Sequence, residues 1–248
     1  MMVLSDRRQR MLDEMGIKTW APPQRSVSPG GGLPLAPSMP EAEAAARLGT
    51  RPAGIETMDW QALREAVASC TACALCRGRT NTVFGVGNLR ARWMIVGEAP
   101  GEQEDLRGEP FVGKSGQLLD NMLRALGLTR DEAEPQRQVF IVNTLKCRPP
   151  GNRNPEPAEL AQCEPYLVRQ IALVQPKIIL AMGRFAVQAL LRTTEPIGRL
   201  RGRVHSYQGV PLVVTYHPAY LLRNMEDKAR AWDDLCLALE VSNQAAPG

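Results

Sequence analysis

The sequence GEAPGEQEDLRGEPFVGKSGQ, from Gly97 to Gln117, joins an apolar segment to the start of a helical pattern. Its glycines and prolines permit a sharp turn at which the backbone approaches a ligand closely. It carries several carboxylates, Glu98 first among them, and one aromatic residue, Phe111. Taken alone, it also fits a solvated acidic turn with the aromatic ring folded into the core. The rest of the chain favours a ligand site at this turn.

The apolar segment before the turn is the first of four predicted strands, RWMIVG, QVFIVN, KIILAMG and PLVVTYH. Short and nearly continuous apolar runs are typical of strands buried on both faces. Helical patterns alternate with them over residues 59–70, 116–126, 158–174, 184–191 and 227–241. Thr57 is the predicted N-cap of the first helix. This alternation predicts an α/β domain in which helices cover both faces of a central, mainly parallel four-stranded sheet.

The composition predicts one folded domain with an extension at each end. Residues 21–54 contain seven prolines and five glycines, a composition typical of a disordered tether. Before it, residues 5–20 form either an amphipathic helix that docks on a partner protein or on the domain itself, or an inert tail. We therefore predict a mostly disordered N-terminal extension over residues 1–56, a folded domain over 57–242 and a short tail over 243–248.

The hydropathy of the chain indicates where the protein is found in the cell, whereas its net charge says little about its binding partners. Its 248 residues carry a net charge of +4, and a pI near 8.8 permits a polyanionic partner without requiring one. The first residues lack the apolar core of a signal peptide, and no stretch offers about 18 uncharged apolar residues. We therefore expect a cytosolic protein without a membrane span.

Polar residues follow the predicted strands at their carboxyl ends, where sheets of this kind bind ligands. The first strand leads to Glu98 and then to Phe111, the second ends at Asn143, and the fourth ends at His217, which Pro218 keeps extended. Individually, the asparagine also fits a turn former and the histidine a strand-end cap. Their joint placement predicts that they converge on one pocket.

Because the chain is expected to be cytosolic, its six cysteines predict metal ligands or spare thiols rather than a disulfide framework. Cys70 and Cys73 form a C-x2-C pair, while Cys147 and Cys163 follow far along the chain. Two local and two remote cysteines are less typical of zinc than of an iron–sulfur cluster. Spacing alone leaves the metal open, and Cys76 is an alternative ligand because CTACALC is also a C-x2-C-x2-C run.

The loop after the second strand, KCRPPGNRNPEPAEL, carries the cations Lys146, Arg148 and Arg153. A cluster on the four cysteines would tie the first helix to this loop. It would thereby present these cations to phosphates. A solvated surface loop is the alternative interpretation.

The motifs GEAPGEQED, PFVGKSGQLLD, VNTLKCRPPGNRNP and YHPAYLLR, together with the four cysteines, closely resemble those of the family 4 uracil-DNA glycosylases, the iron–sulfur branch from bacteria and archaea. The likeness covers about residues 65–235, and such long, ordered motifs are specific. It implies a three-layer α/β/α domain with a [4Fe-4S] cluster on Cys70, Cys73, Cys147 and Cys163. It also implies an enzyme of base excision repair that flips uracil out of DNA and hydrolyses its N-glycosidic bond, leaving an abasic site.

The resemblance assigns a role to each residue of the predicted pocket. Phe111 would stack on the flipped pyrimidine, and Asn143 would read the uracil edge, whose donor and acceptor cytosine reverses. Backbone N–H groups near Glu98 and Ala99 would hold a uracil oxygen. His217 would donate to uracil O2 as charge develops there. Glu98 would favour the cationic sugar or orient the attacking water.

The segment after His217 is expected to reach DNA. Tyr220, Leu221 and Leu222 would enter the base stack, and Arg223 would meet a phosphate. These residues also fit an ordinary surface loop.

One motif departs from the better-known branches of the superfamily, in which an aspartate stands at the position of Ala99. Water activation is therefore assigned to Glu98 or to another group, with Glu104 as a secondary candidate near the base edge. A related branch that traps uracil covalently has a glutamine in the first motif. Here that motif reads GEAPG, which favours ordinary turnover.

Two other classes of function compete with a monomeric enzyme that acts on uracil-containing DNA. A non-catalytic iron–sulfur module that binds nucleic acid or senses redox state would carry a vestigial pocket. Retained Glu98, Asn143 and His217 argue against it. A flavodoxin-like electron-transfer protein is supported by fold type alone.

Overall fold

The computed structural model describes residues 49–134 and 136–244. The predicted amphipathic segment and residues 21–48 of the predicted tether lie outside the described residues, as do residues 245–248 of the predicted tail. Within the described ranges, no helix combines the length and the apolar character that crossing a membrane requires.

The first helix, α1 (Trp60–Ala68), begins one residue later than the predicted pattern over residues 59–70. Its N-cap is Asp59 rather than Thr57, and the Asp59 carboxylate accepts a hydrogen bond from the Ala62 N–H at 2.9 Å. Thr57 instead ends a short 3-10 turn that begins at Ile55, a buried residue. Burial of Ile55 fixes the turn before the helix, so the cap falls on the next residue with a suitable side-chain oxygen.

A six-stranded sheet forms the centre of the domain. Its strands are β1 (Val86–Gly87), β2 (Trp93–Gly97), β3 (Val139–Asn143), β4 (Ile178–Met182), β5 (Val204–Tyr207) and β6 (Val210–Thr215). The order across the sheet is β1-β3-β2-β4-β6-β5, with β3, β2, β4 and β6 parallel and the two edge strands antiparallel.

The four predicted strands are the parallel centre of this sheet, so the α/β class and the mainly parallel arrangement are confirmed. The predicted number of strands, four, is wrong, because the sheet also contains the two edge strands β1 and β5. β1 is two residues long, and β5 alternates exposed and half-buried residues. Neither has the continuous apolar run that marks a strand buried on both faces.

Helices cover both faces of the sheet, as predicted. Those after α1 are α2 (Glu102–Arg107), α3 (Lys114–Ala125), α4 (Pro157–Val174), α5 (Arg184–Leu191), α6 (Ile197–Leu200), α7 (Pro218–Leu221) and α8 (Asp227–Gln244). Successive side chains of a strand point to opposite faces. In β2, Met94 and Val96 pack with α4 and α5, while Trp93 and Ile95 pack with α3 and α8. The result is a three-layer α/β/α domain.

The parallel strands bring their carboxyl ends to one edge of the sheet. Gly97 at the end of β2 pairs with Asn143 at the end of β3, and Met182 of β4 pairs with Thr215 of β6. The residues that follow these four strands therefore surround one region of the surface.

Candidate functional site

Asn143 and Phe111 meet above Gly97 at the carboxyl edge of the sheet. A Cβ atom added to Gly97 would lie 2.4 Å from Asn143 Oδ1 and 2.6 Å from Phe111 Cζ, so only glycine leaves room for both side chains. Asn143 is 2% exposed, and its Oδ1 has no hydrogen-bond partner among the described residues. A buried polar atom without a partner costs about 1–3 kcal/mol. The amide oxygen therefore marks a place where a ligand can donate a hydrogen bond.

Phe111 also stacks on His217, and we call Gly97, Phe111, Asn143 and His217 the strand-end slot. The two ring centroids are 5.3 Å apart, and the ring planes differ by 26°. Stacked bases lie about 3.4 Å apart, so a third ring between these two would need about 6.8 Å. The gap is too small for a third ring. A planar ligand that stacks on Phe111 can therefore contact only the edge of the His217 ring, where the ring nitrogens lie.

The turn that presents Phe111 is held by a buried carboxylate. Phe111 has a φ of 55°, a left-handed conformation that is unfavourable for an aromatic residue. Glu104 Oε1 accepts hydrogen bonds from the N–H groups of Val112 at 3.0 Å and Gly113 at 3.2 Å, and Oε2 accepts one from Gly101 at 3.1 Å. Glu104, expected near the base edge, is therefore directed at the backbone and joins the two turns of the motif.

Glu98 places its carboxylate at the N-terminus of α5. Its Oε1 accepts a hydrogen bond from the Phe185 N–H at 3.0 Å. Gly183, which precedes the helix with a φ of 94°, passes so close that a Cβ there would lie 2.5 Å from the same oxygen. The pKa of Glu98 is raised overall, because burial outweighs the Phe185 N–H and the charge of Arg184, which lower it. The helix N-terminus therefore favours the ionised form that burial opposes.

His217 is held in one tautomer by the chain that follows it. The Ala219 N–H donates to His217 Nδ1 at 3.1 Å, so the proton of the neutral ring lies on Nε2. Burial, together with the charge of Arg223, lowers the pKa of His217 to about 4. At neutral pH the ring is therefore an uncharged donor through Nε2.

An open cleft of about 540 Å³ adjoins the strand-end slot, and Glu98, Ala99 and His217 line it. Asn143 and Phe111 lie deeper, and they are linked to the cleft through their contacts with Gly97 and His217. The four residues predicted to converge from separate strands therefore lie together in the structure. The roles of these four residues depend on a bound ligand.

The segment PAYLLR is a helical turn, α7, rather than an extended loop. Residues three apart on a helix share a face, so Pro218 and Leu221 both point inward. Leu221, predicted to enter DNA, is 1% exposed and packs beside α3 and α8. Leu222, also predicted to enter DNA, is 42% exposed and lies at the surface.

The other predicted DNA contacts line or flank the open cleft. Tyr220 stacks on Tyr216 with centroids 5.1 Å apart, and its hydroxyl donates to Asp227 at 2.6 Å. Arg223 is exposed and lines the cleft.

Arg153 also lines the cleft, but its charge is already engaged. Its guanidinium forms ion pairs with Glu159 and Glu156, residues at the start of α4. A phosphate at this position would therefore compete with two carboxylates.

Five cysteines line one small cavity, which we call the cysteine cavity; they are Cys70, Cys73, Cys76, Cys147 and Cys163. Among the described residues, no three His, Cys, Asp or Glu side chains are arranged to hold a single metal ion. In a [4Fe-4S] cluster each of the four thiolates binds a different iron, so the ligand sulfurs lie farther apart than around one ion. The enclosed volume is only about 10 Å³, so the fit to a cluster rests on the donor set rather than on space.

The groups around the cysteine cavity suit an anionic occupant. The hydroxyl of Tyr166 lines the cavity, is buried and has no hydrogen-bond partner among the described residues. Arg79 Nη1 donates to Cys147 Sγ at 3.2 Å. Burial raises the pKa of Cys147 to about 11 and that of Cys163 to about 12. A metal centre would have to deprotonate both thiols, and the nearby cation and hydroxyl would then stabilise the thiolates.

Lys146, predicted to face phosphates, is buried instead. It is 2% exposed, lines the cysteine cavity, and donates from Nζ to the main-chain oxygen of Asn143 at 2.7 Å. Burial lowers its pKa to about 7, and negative charge on Cys163 and Cys147 raises it. The sequence reasoning missed this role because a lysine in a Pro- and Arg-rich loop is normally solvated. Its place between a strand end and a cysteine was the only signal.

Two acidic residues of α2 were also missed as supports. Glu104 holds the Phe111 turn, as described above. Asp105 accepts hydrogen bonds from the N–H groups of Thr80 and Asn81, which fixes the segment after the first cysteines. Both carboxylates lie in a run of charges that reads as a solvated helix face, so their burial has no local signal.

Comparison with known proteins identifies the family. Residues 84–236 match the family model described as the uracil DNA glycosylase superfamily. A type-4 uracil-DNA glycosylase of Archaeoglobus fulgidus is 44% identical over 164 residues, which are 63% of this chain and 79% of that protein. A type-4 uracil-DNA glycosylase of Pyrobaculum aerophilum is 42% identical over 190 residues, 73% and 93% of the two chains.

A type-5 uracil-DNA glycosylase of Pyrobaculum aerophilum is less similar, with 35% identity over 148 residues, 54% of this chain and 64% of that protein. The type-4 relatives thus share both higher identity and longer coverage. The strand-end slot lies within the matched region. The cysteine cavity lies only partly within it, because α1 and the first three cysteines of the cavity precede residue 84. The chain belongs to the uracil-DNA glycosylase superfamily and, within it, to the type-4 uracil-DNA glycosylases.

Proposed function

We propose that this protein is a uracil-DNA glycosylase that hydrolyses the N-glycosidic bond of uracil in DNA and leaves an abasic site for base excision repair. The unpartnered Oδ1 of Asn143 carries the proposal, because it is buried beside an aromatic face and the edge of a neutral imidazole. A flipped pyrimidine offers a flat ring and edge groups that match all three. Membership of the family supports the same reaction.

Base selection follows from the amide of Asn143. Uracil N3–H would donate to Oδ1, and the amide NH2 would donate to uracil O4. Cytosine has an acceptor at N3 and a donor at C4, so both contacts would be mismatched. Two mismatched buried groups would disfavour cytosine by on the order of a thousandfold.

His217 would stabilise the departing base. Cleavage leaves negative charge on uracil, and the Nε2–H of the neutral ring would donate to O2, where part of that charge develops. The tautomer set by the Ala219 N–H makes Nε2 the donor without a change of protonation. A preorganised donor of this kind contributes about 10²–10³ in rate.

Glu98 would act on the sugar side of the scissile bond. It lies in the open cleft, and the N-terminus of α5 holds its carboxylate in place. An ionised carboxylate there would stabilise the cationic sugar or orient the attacking water. Ala99, which follows it, has no side chain that can activate water, but its backbone N–H would hold a uracil oxygen.

DNA would lie across the open cleft. Leu222, rather than the buried Leu221, would enter the base stack from α7. Arg223 would meet a phosphate, and Tyr220 would pack against the strand. Arg153 would contribute only where a phosphate displaces its two carboxylate partners. The protein is expected to do this as a monomer in the cytosol or nucleoid.

Cys70, Cys73, Cys147 and Cys163 would hold a [4Fe-4S] cluster. The donor set and the unpartnered hydroxyl of Tyr166 fit such an occupant. The cluster would act structurally, joining the segment after α1 to the loop after β3, and would take no part in bond cleavage. Cys76 lines the same cavity and stays an alternative ligand.

Incubation with a labelled oligonucleotide that contains one uracil tests the proposal. Alkaline treatment should break the strand only at uracil, while matched oligonucleotides with thymine or cytosine stay intact. The non-catalytic alternative predicts binding without strand breaks. If the purified protein with its full iron content yields no abasic sites, the proposed function is wrong.

A further inference from the structure

Lys146 is the one lysine in the described ranges whose side chain is buried. A buried ammonium group is costly unless an opposite charge or hydrogen-bond acceptors compensate it. No carboxylate of the described residues forms an ion pair with Lys146. The compensation must therefore come from the cysteine cavity that it lines and from its hydrogen bond to the Asn143 carbonyl.

The charges around the cavity balance if a cluster is bound. A [4Fe-4S] core in its resting oxidation state with four thiolates carries an overall charge of about −2. Two cations line the cavity, Arg79 and Lys146, and its described lining residues include no carboxylate. Arg79 donates to Cys147 Sγ from one side. Lys146 thus supplies the second positive charge.

Only one of these two cations also touches the strand-end slot. Arg79 also donates to the main-chain oxygens of Cys70 and Ala68, near the end of α1. Lys146 Nζ donates to the main-chain oxygen of Asn143, the residue whose side chain lies in the slot. A cluster would therefore attract Lys146 from one side while Lys146 holds Asn143 on the other.

We propose that Lys146 is a positioning residue that couples the cluster to base recognition, because it lines the cavity that would hold the cluster and its ammonium group donates to the main-chain carbonyl of Asn143. This inference rests on the proposed function. The contact fixes the carboxyl end of β3, so the amide of Asn143 faces the base at the correct angle. Lys146 itself touches neither substrate nor the reacting atoms.

Lys146→Met and Arg79→Met form a matched pair of variants. Each removes one positive charge beside the cluster, so each should shift the midpoint potential of the cluster's one-electron couple to a more negative value. Lys177→Met, which removes an exposed lysine at the amino end of β4, should leave the potential unchanged. Iron per protein should stay at the wild-type value in all three.

A double-mutant cycle with Asn143→Ala separates the two cations. Lys146→Met alone should lower kcat/KM on uracil-containing DNA about tenfold. It should have no further effect once Asn143 is alanine, because the group that it positions is gone. Any loss caused by Arg79→Met should persist in the Asn143→Ala background, since Arg79 does not touch Asn143.

Two results would overturn the inference even if the wild-type protein excises uracil. One is an unchanged midpoint potential in Lys146→Met, and the other is a loss of kcat/KM that adds fully to the loss caused by Asn143→Ala. Absence of activity in the wild type would instead overturn the proposed function. The midpoint potential of Lys146→Met would still show whether the charge of Lys146 acts on the cluster. If Lys146→Met gives no soluble protein, Lys146→Gln is subject to the same two expectations.

Discussion

The strand-end slot and the cysteine cavity lie at the two ends of the short segment from Asn143 to Cys147, and they offer opposite environments. The slot presents an unpartnered amide oxygen and a neutral imidazole beside a cleft of about 540 Å³. The cavity encloses about 10 Å³ and surrounds five thiols with two cations and a hydroxyl. An uncharged slot that adjoins an open cleft suits a ligand that binds and leaves, whereas a closed, cationic cavity suits an anionic group that stays.

Removing a thiol from the closed cavity should have the largest effect. Cys147 is buried, and serine cannot replace a thiolate as an iron ligand. We expect Cys147→Ser to lose iron and soluble protein together, measured as iron per chain and yield. Cys236→Ser, outside the cavity, is the control. Wild-type iron content in Cys147→Ser would remove Cys147 from the ligand set and point to Cys76.

Changing the amide in the open slot should alter selectivity without altering iron. Asn143→Asp loses the NH2 donor, so excision of uracil should fall about 100-fold and the preference over cytosine should shrink. Matched oligonucleotides with one uracil or one cytosine measure both. Asn121→Asp, on the exposed side of α3, is the control. Unchanged preference in Asn143→Asp would mean that the amide does not read the base.

Replacing Glu104, which holds the Phe111 turn of the slot, should have a smaller effect. In Glu104→Gln one oxygen becomes an NH2 group that faces backbone N–H donors, which frees the strained turn at Phe111. We expect kcat/KM to fall about tenfold, or about 1.4 kcal/mol, with iron unchanged. Glu102→Gln on the exposed side of the same helix should match the wild type. Equal activity of the two variants would show that Glu104 does not position the ring.

The neutrality of the slot is testable without any change in the site. Because the pKa of His217 in the folded chain is lowered from 6.5 to about 4, the ring should stay an Nε2–H tautomer from pH 7.5 to about pH 5. Nitrogen-15 NMR of the ring reports the tautomer, and His205→Gln assigns the two histidine signals. The contribution of His217 to stability should be lost as pH falls from about 6.5 towards 4, because the unfolded chain binds the proton first. A ring that is charged at pH 6 would contradict this.

The elements that sequence predicted best have signals in their own residues. Continuous apolar runs predicted β2, β3, β4 and β6, and the polar residues at their ends predicted the slot because parallel strands end at one edge. Asn143 and His217 were found in this way. Edge strands β1 and β5 lack such runs, one being too short and the other half exposed.

What sequence missed depends on contacts between distant segments. Lys146 is buried because the cysteine cavity closes around it, and Glu104 is buried because the Phe111 turn folds over α2. Neither fact has a local pattern. The burial of Leu221 follows from one helical turn, which a motif of six residues does not distinguish from a loop.

A crystal structure of the protein with free uracil tests most directly whether the slot is formed by groups from separate strands. We expect the base on a face of Phe111, with N3 about 3 Å from Asn143 Oδ1 and O2 about 3 Å from His217 Nε2. Uracil bound elsewhere, or in contact with only one of these two side chains, would contradict the proposed site.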